Sequence, residues 1–173
     1  MIISVDELKN NPKFAKYDET VLEMELKAIE KAIRRHTGNN FQDQSVRIVC
    51  SSAGGVLQGA SPYLKVGDTV EVSRSHNKGL YVITAIDGAI TLDKPLYDEP
   101  YNMVTRVRYD EDIIAGALRM LDWKLTQSGK VGVQSESISR HSVTYFNMDG
   151  DNSVMGYPKS LLGFLKPYKC VRF

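Results

Sequence analysis

The stretch Val70–Leu92, VEVSRSHNKGLYVITAIDGAITL, decides the fold. Within it Val70/Val72, Tyr81/Ile83 and Ile90/Leu92 alternate with polar or small neighbours, the period of a half-buried strand. The breaks between these segments are His76-Asn77-Lys78-Gly79 and Asp87-Gly88. Asp-Gly between two β-rich runs is a strong hairpin signal, because tight hairpin turns need residues that accept positive φ. The same period continues outward through Val46/Ile48/Cys50 and Thr105/Val107/Tyr109, with breaks at Ser52-Ala53-Gly54-Gly55, Gly67-Asp68 and Lys94-Pro95. Short strands joined by tight turns predict a small β-barrel or curled antiparallel sheet over 46–109.

On either side the period changes to that of a helix. Leu22, Leu26, Ile29 and Ile33 form an amphipathic stripe over Glu19–Thr37, widened by Val21, Ala28 and Ala32. Asp18 is placed to cap its start and Gly38 to end it, while glutamates early and Lys31, Arg34 and Arg35 late suit the helix dipole. A second helix, Glu111–Gln127, follows Asp110; its expected buried stripe is Ile114, Leu118, Leu121 and Leu125, backed by Ile113 and Ala117, with Trp123 off to one side. Residues 133–146 read as extended with a turn near Arg140-His141, and 147–156 as turn-rich. Pro158 then opens a short helix that Pro167 stops. The predicted class is α+β: a small helical bundle of two long helices and a short C-terminal helix, built from 1–45 and 110–173, with the β-rich subdomain 46–109 inserted.

Composition narrows the function. The chain has 173 residues, 22 Lys plus Arg against 21 Asp plus Glu, and a formal net charge of +1, which argues against a strongly basic nucleic-acid binder. Apolar runs fall far short of the ~20 residues needed to cross a bilayer. The opening MIISVDELKNN lacks a basic segment followed by an apolar one, and Cys50 and Cys170 are widely separated, so the expectation is a soluble cytoplasmic product with reduced cysteines.

Motifs that would carry chemistry are incomplete. Gly54–Ser61, GGVLQGAS, has the glycine spacing of a phosphate-binding loop, but Ala60 stands where its lysine belongs and Pro62 opposes the helix that should follow. Asn147, Asp149 and Asp151 alternate like calcium ligands, yet Asn152 replaces the turn glycine and Pro158 the bidentate glutamate. His36, His76 and His141 lack partners at metal-ligand spacing, and neither cysteine has a catalytic signature. No catalytic residue, cofactor or metal site is expected. The segment Tyr157–Phe173 is locally basic and aromatic-rich, which suits single-stranded nucleic acid, a protein partner, or simple closure of the core.

The C-terminal half carries a resemblance. Ser135–Tyr145, SESISRHSVTY, and the 156–173 segment GYPKSLLGFLKPYKCVRF resemble the C-terminal signature of the head-tail connector, or adaptor, family of long-tailed phages and prophages. The likeness covers 110–173, with the N-terminal helix matching in pattern only. It implies a structural protein without catalysis, made in the bacterial host cytoplasm and placed at the virion head-tail junction. Such proteins form ring homo-oligomers, usually dodecamers, between the portal protein and the stopper or tail-completion protein, and double-stranded DNA passes through the central channel. By this analogy Tyr157, Pro158, Leu161, Leu165, Tyr168, Arg172 and Phe173 are interface candidates; Trp123, apolar beside its helix's main stripe, joins them. The β-rich 46–109 segment departs from compact members of the family. An alternative reading makes that segment a nucleic-acid-binding module using Arg47, Arg74, Lys78, Arg106 and Arg108.

Overall fold

The computed structural model describes residues 1–127, 135–138, 141–144 and 152–170. They form two compact units: Asn40–Tyr109 joined by Met1, and Ile2–Asn39 with Asp110 onward.

The first unit is a closed antiparallel barrel of six strands. These are β1 Gln42–Ala53, β2 Val56–Gln58, β3 Thr69–Ser73, β4 Gly79–Asp87, β5 Ala89–Leu92 and β6 Glu99–Val107, ordered β1-β2-β5-β4-β3-β6 around the wall. Gly54 and Gly55 turn β1 into β2 with φ of 62° and 85°, left-handed values that cost glycine little. β1 and β6 close the barrel, with Gln42 opposite Val107 and Cys50 opposite Asn102; register shifts lie between Asp43 and Arg47 and between Cys50 and Ser52. Such bulges let a short sheet bend back on itself. The interior is lined by Val46, Cys50, Leu57, Val70, Val72, Ile83, Ile90, Leu92, Leu96 and Val104.

This barrel overturns the expected fold class. The described residues include a closed six-stranded antiparallel barrel and five helical segments, and not a helical bundle of two long helices. The physical reason is closure: pairing β1 with β6 gives residues 40–109 a complete hydrophobic core of their own. Boundaries also move. β1 starts at Gln42 rather than Val46, and β6 starts at Glu99 and contributes Val104 to the core, opposite in parity to the expected Thr105.

The second unit contains α1 Val5–Lys9, α2 Pro12–Ala15, α3 Glu19–Thr37, α4 Glu111–Gln127, a 3₁₀ helix Lys159–Tyr168, and the paired strands β7 Ser135–Ile138 with β8 His141–Thr144 and β9 Ser153–Val154 with β10 Tyr157–Pro158. α3 lies where its pattern puts it. Asp18 accepts from the Thr20 and Val21 amides, Gly38 ends it at φ 66°, and Leu22, Leu26, Ile29 and Ile33 are fully buried. The C-terminal segment differs from expectation: Pro158 caps a 3₁₀ helix, and Pro167 lies inside it. Pro167 is next to last in that helix, so it removes one terminal bond of a helix type whose hydrogen bonds are already weaker than those of an α-helix.

α4 buries a face rotated from the expected stripe toward its backing residues: Leu121, Ile113 and Ala117 lie where the expectation put them, and Met120 joins them. Ile113, Ala117, Met120 and Leu121 are fully buried, while Ile114, Leu118 and Leu125 are only half-buried. The helix is apolar over too wide an arc for its pattern to choose one face. Gly116 decides the orientation, because the Phe164 ring of the 3₁₀ helix occupies the space where a Cβ would project. No helix among the described residues is long and apolar enough to cross a membrane.

Candidate functional site

The C-terminal interface candidates fall largely in the core of the helical unit. Tyr157, Pro158 and Leu165 are buried, and Leu161 and Tyr168 are half-buried. Trp123 packs on Tyr157 with ring centroids 5.5 Å apart at 56°. Burial and the nearby Glu25 carboxylate push the Tyr157 phenol up to about 12, so it stays protonated. Tyr168 donates to Asp112 Oδ1 at 2.6 Å and approaches Asp110 Oδ2 at 3.1 Å, and those carboxylates raise its own proton affinity. The chain is tied again where the Cys170 amide donates to the Thr37 carbonyl at 2.7 Å and Asn39 Nδ2 to the Tyr168 carbonyl at 3.4 Å. This segment therefore closes the core and ties the end of α3 to the start of α4. Arg172 and Phe173 lie outside the described residues, as do Asn147, Asp149 and Asp151.

The five barrel cations proposed for nucleic acid do not form one face. Arg106 donates to Asp43 Oδ2 at 2.7 Å and to the Tyr63 carbonyl at 3.2 Å. Arg47 donates to Thr105 Oγ1 at 2.9 Å. β3 pairs Val70 with Arg106 and Ser73 with Met103, so Arg74, just past β3, lies toward the β6 start while Arg108 follows the β6 end. Only Arg74 and Lys78 share an exposed turn.

Asp43 is held at a pKa of about 2 by Ser45 first and Arg106 second. A folded value below the unfolded ~3.9 means that its contribution is present above pH ~4 and is lost as pH falls toward 2. Wild-type barrel stability is expected to decline over that window, and Asp43→Asn to flatten the decline. Equilibrium unfolding at stepped pH measures this, and parallel curves for the two proteins would refute it.

The other motifs settle into plain structural roles. The phosphate-loop look-alike is the β1–β2 hairpin and the segment after it, with Leu57 in the barrel core. His36 has its proton affinity lowered by burial and by Lys169. His76 Nδ1 contacts the Glu99 carboxylate, and His141 lies in β8. Cys50 and Cys170 are both free thiols, the first buried and the second exposed.

Sequence reasoning missed the best-built surface feature of the barrel. Asn77, in the β3–β4 turn, is 2% exposed. Its carboxamide nitrogen lies 2.9 Å from the Tyr97 carbonyl, 3.1 Å from Ser52 Oγ and 3.1 Å from Asn102 Oδ1. Its oxygen accepts from the Tyr97 amide at 2.8 Å. Both backbone groups of Tyr97 are thus clamped by one side chain. Leu96 is buried beside it, and Asp98 accepts from the Gly54 amide at 2.9 Å, yet the Tyr97 ring is 75% exposed. Tyr101 is exposed further along the same segment. An exposed aromatic ring carried on a fixed backbone is an economical protein-docking anchor, since the backbone has little freedom left to lose on binding.

No protein-family model matches this chain, and comparison with curated proteins gives no match.

Proposed function

We propose that this chain is the subunit of a ring-shaped phage or prophage head-tail connector, a structural adaptor between the portal protein and the stopper or tail-completion protein. The ring, expected to be a dodecamer made in the host cytoplasm and incorporated at the virion head-tail junction, leaves a central channel for double-stranded DNA. The observation that carries the reading is apolar surface that one subunit leaves uncovered. On α3, Val21 and Met24 are 39% and 62% exposed, and on the barrel Val49, Tyr97 and Tyr101 face solvent. A ring needs two different patches per subunit, because a head-to-tail contact repeats until it closes.

The charge distribution supports the same reading. Two of the barrel's candidate DNA contacts are engaged by Asp43 and Thr105, and Arg74 and Arg108 lie toward opposite ends. DNA sliding through a channel is served by a surface that does not grip phosphate. The nucleic-acid-module alternative rests mainly on Arg74 and Lys78, both exposed between β3 and β4.

Negative-stain electron microscopy of the purified protein is expected to give annular particles, and the protein to co-purify with its portal. A chain that stays monomeric at high concentration and ignores the portal would refute the proposal. Tight DNA binding that collapses with added salt would favour the alternative instead.

A further inference from the structure

We infer that the subunit-to-subunit contact of the ring is made by α3 of one copy against α4 of the next; this rests on the connector reading above. Each helix carries a second apolar stripe, exposed on α3 and only partly covered on α4. On α3 the stripe is Val21, Met24 and Ala28, all exposed, at i, i+3 and i+7 on the side away from Leu22, Leu26 and Ile33. Lys31 and Arg35 continue it and are exposed. Glu25, on the opposite flank, lies close enough to Tyr157 to raise that phenol's proton affinity.

On α4 the second stripe is Ile114, Leu118 and Leu125, half-buried although they repeat at strict helical spacing. Its flank is acidic: Glu111 is exposed, and Asp122 pairs with Lys13 at 2.7 Å while remaining 31% exposed. Arg119 lies beyond Asp122 on the same flank, further from the stripe, its Nε donating to the Ala115 carbonyl. One apolar stripe is thus bordered by cations and the other by carboxylates. The pair is complementary to itself only between copies used head to tail, the kind of contact that closes into a ring. Two like faces brought together would oppose Lys31 and Arg35 to their own counterparts.

A mixing experiment tests the assignment. Met24→Glu removes the α3 surface and Leu118→Glu the α4 surface, and sedimentation velocity reads the assembly state. Wild type is expected to form rings and each variant alone to remain monomeric. An equimolar mixture should give one-to-one heterodimers and nothing larger, because one intact α3 and one intact α4 remain as a single usable contact. Circular dichroism establishes that each variant is folded. If Leu118→Glu is not, Glu111→Lys replaces it: rings should then need about fivefold more protein, and Lys31→Glu in the same chain should restore them. Rings formed by either apolar variant, or a mixture that stays monomeric, would overturn the helix assignment and leave the connector reading standing. A wild-type chain that never assembles would overturn both.

Discussion

Replacing Gly116 with alanine is expected to destabilise the helical unit by about 2 kcal/mol and to lower that unit's melting temperature by roughly 8–16 °C. The sign is the opposite of the general rule, in which alanine is worth about 1 kcal/mol over glycine inside a helix. Here the new Cβ would lie 2.2 Å from Cζ of Phe164, 2.3 Å from Cε2 and 2.5 Å from Cε1. These contacts are far inside van der Waals range, so either the ring must swing out or the 3₁₀ helix must lift from α4. Lifting is resisted, because Leu165 beside the ring is fully buried and Tyr168 is bound to Asp112. Swinging the ring out forfeits part of the phenylalanine's burial, worth about 1.5–3 kcal/mol when complete. Gly163→Ala is the control, since no atom lies within 4 Å of its Cβ position. In a Phe164→Ala background the clash is gone, and Gly116→Ala should become stabilising by about 1 kcal/mol. Thermal and urea unfolding of wild type, the three single variants and the double variant checks this. A single substitution that left the melting temperature unchanged or raised it would show that Phe164 does not depend on that glycine.

The same glycine marks where sequence pattern stops being enough. α3 could be read correctly because its determinants are local: Asp18 caps it, Gly38 ends it, and one apolar stripe dominates. α4 has the same period but two apolar arcs. The choice between Ile114/Leu118/Leu125 and Ile113/Ala117/Met120 is made by Phe164, a residue far away in the chain. In the barrel, alternation and turn glycines located most of the strands. Closure of β1 on β6 depends on bulges that alternation alone cannot locate, and β2 is too short to have a readable period. α1 and α2 went unread although Ser4 and Asn11-Pro12 are ordinary helix-start signals, because each helix buries a single large residue and has no stripe. For the candidate site, the C-terminal aromatic residues were visible as a cluster. Whether such a cluster faces inward or outward is a property of packing: Tyr157 is buried, while Phe164 and Tyr168 are half-buried.

Replacing Asn77 with alanine is expected to cost about 3 kcal/mol, by far more than removal of the exposed ring that it positions. The carboxamide bridges segments 20 to 25 residues away: Ser52 on β1, Tyr97 before β6 and Asn102 within β6. Alanine would leave the Tyr97 amide and part of the hydrogen-bonding capacity of Asn102 unmatched in a buried setting, at about 1–3 kcal/mol for each unsatisfied group. Ser52 retains the Tyr97 carbonyl at 2.6 Å and the Glu99 amide at 3.1 Å, and Ser75 retains Asn102 Oδ1 at 2.7 Å. Those surviving bonds keep the loss below the full sum. Asn77→Asp preserves shape but replaces the donor with a carboxylate facing the Tyr97 carbonyl and Asn102 Oδ1, so it should be at least as damaging as alanine. Tyr97→Ala, by contrast, removes a side chain that is mostly in water and should shift stability by less than about 0.5 kcal/mol. The comparison separates the frame from what it presents. If the Tyr97 ring is a docking anchor, Tyr97→Ala should weaken ring assembly or portal capture while the barrel melts at its usual temperature. Asn77→Ala should speed hydrogen exchange at the Tyr97 amide and lower the melting temperature. Equal melting temperatures for Asn77→Ala and wild type would mean that the network fills space without holding the loop, and Tyr97 would then lose its claim to be rigidly presented.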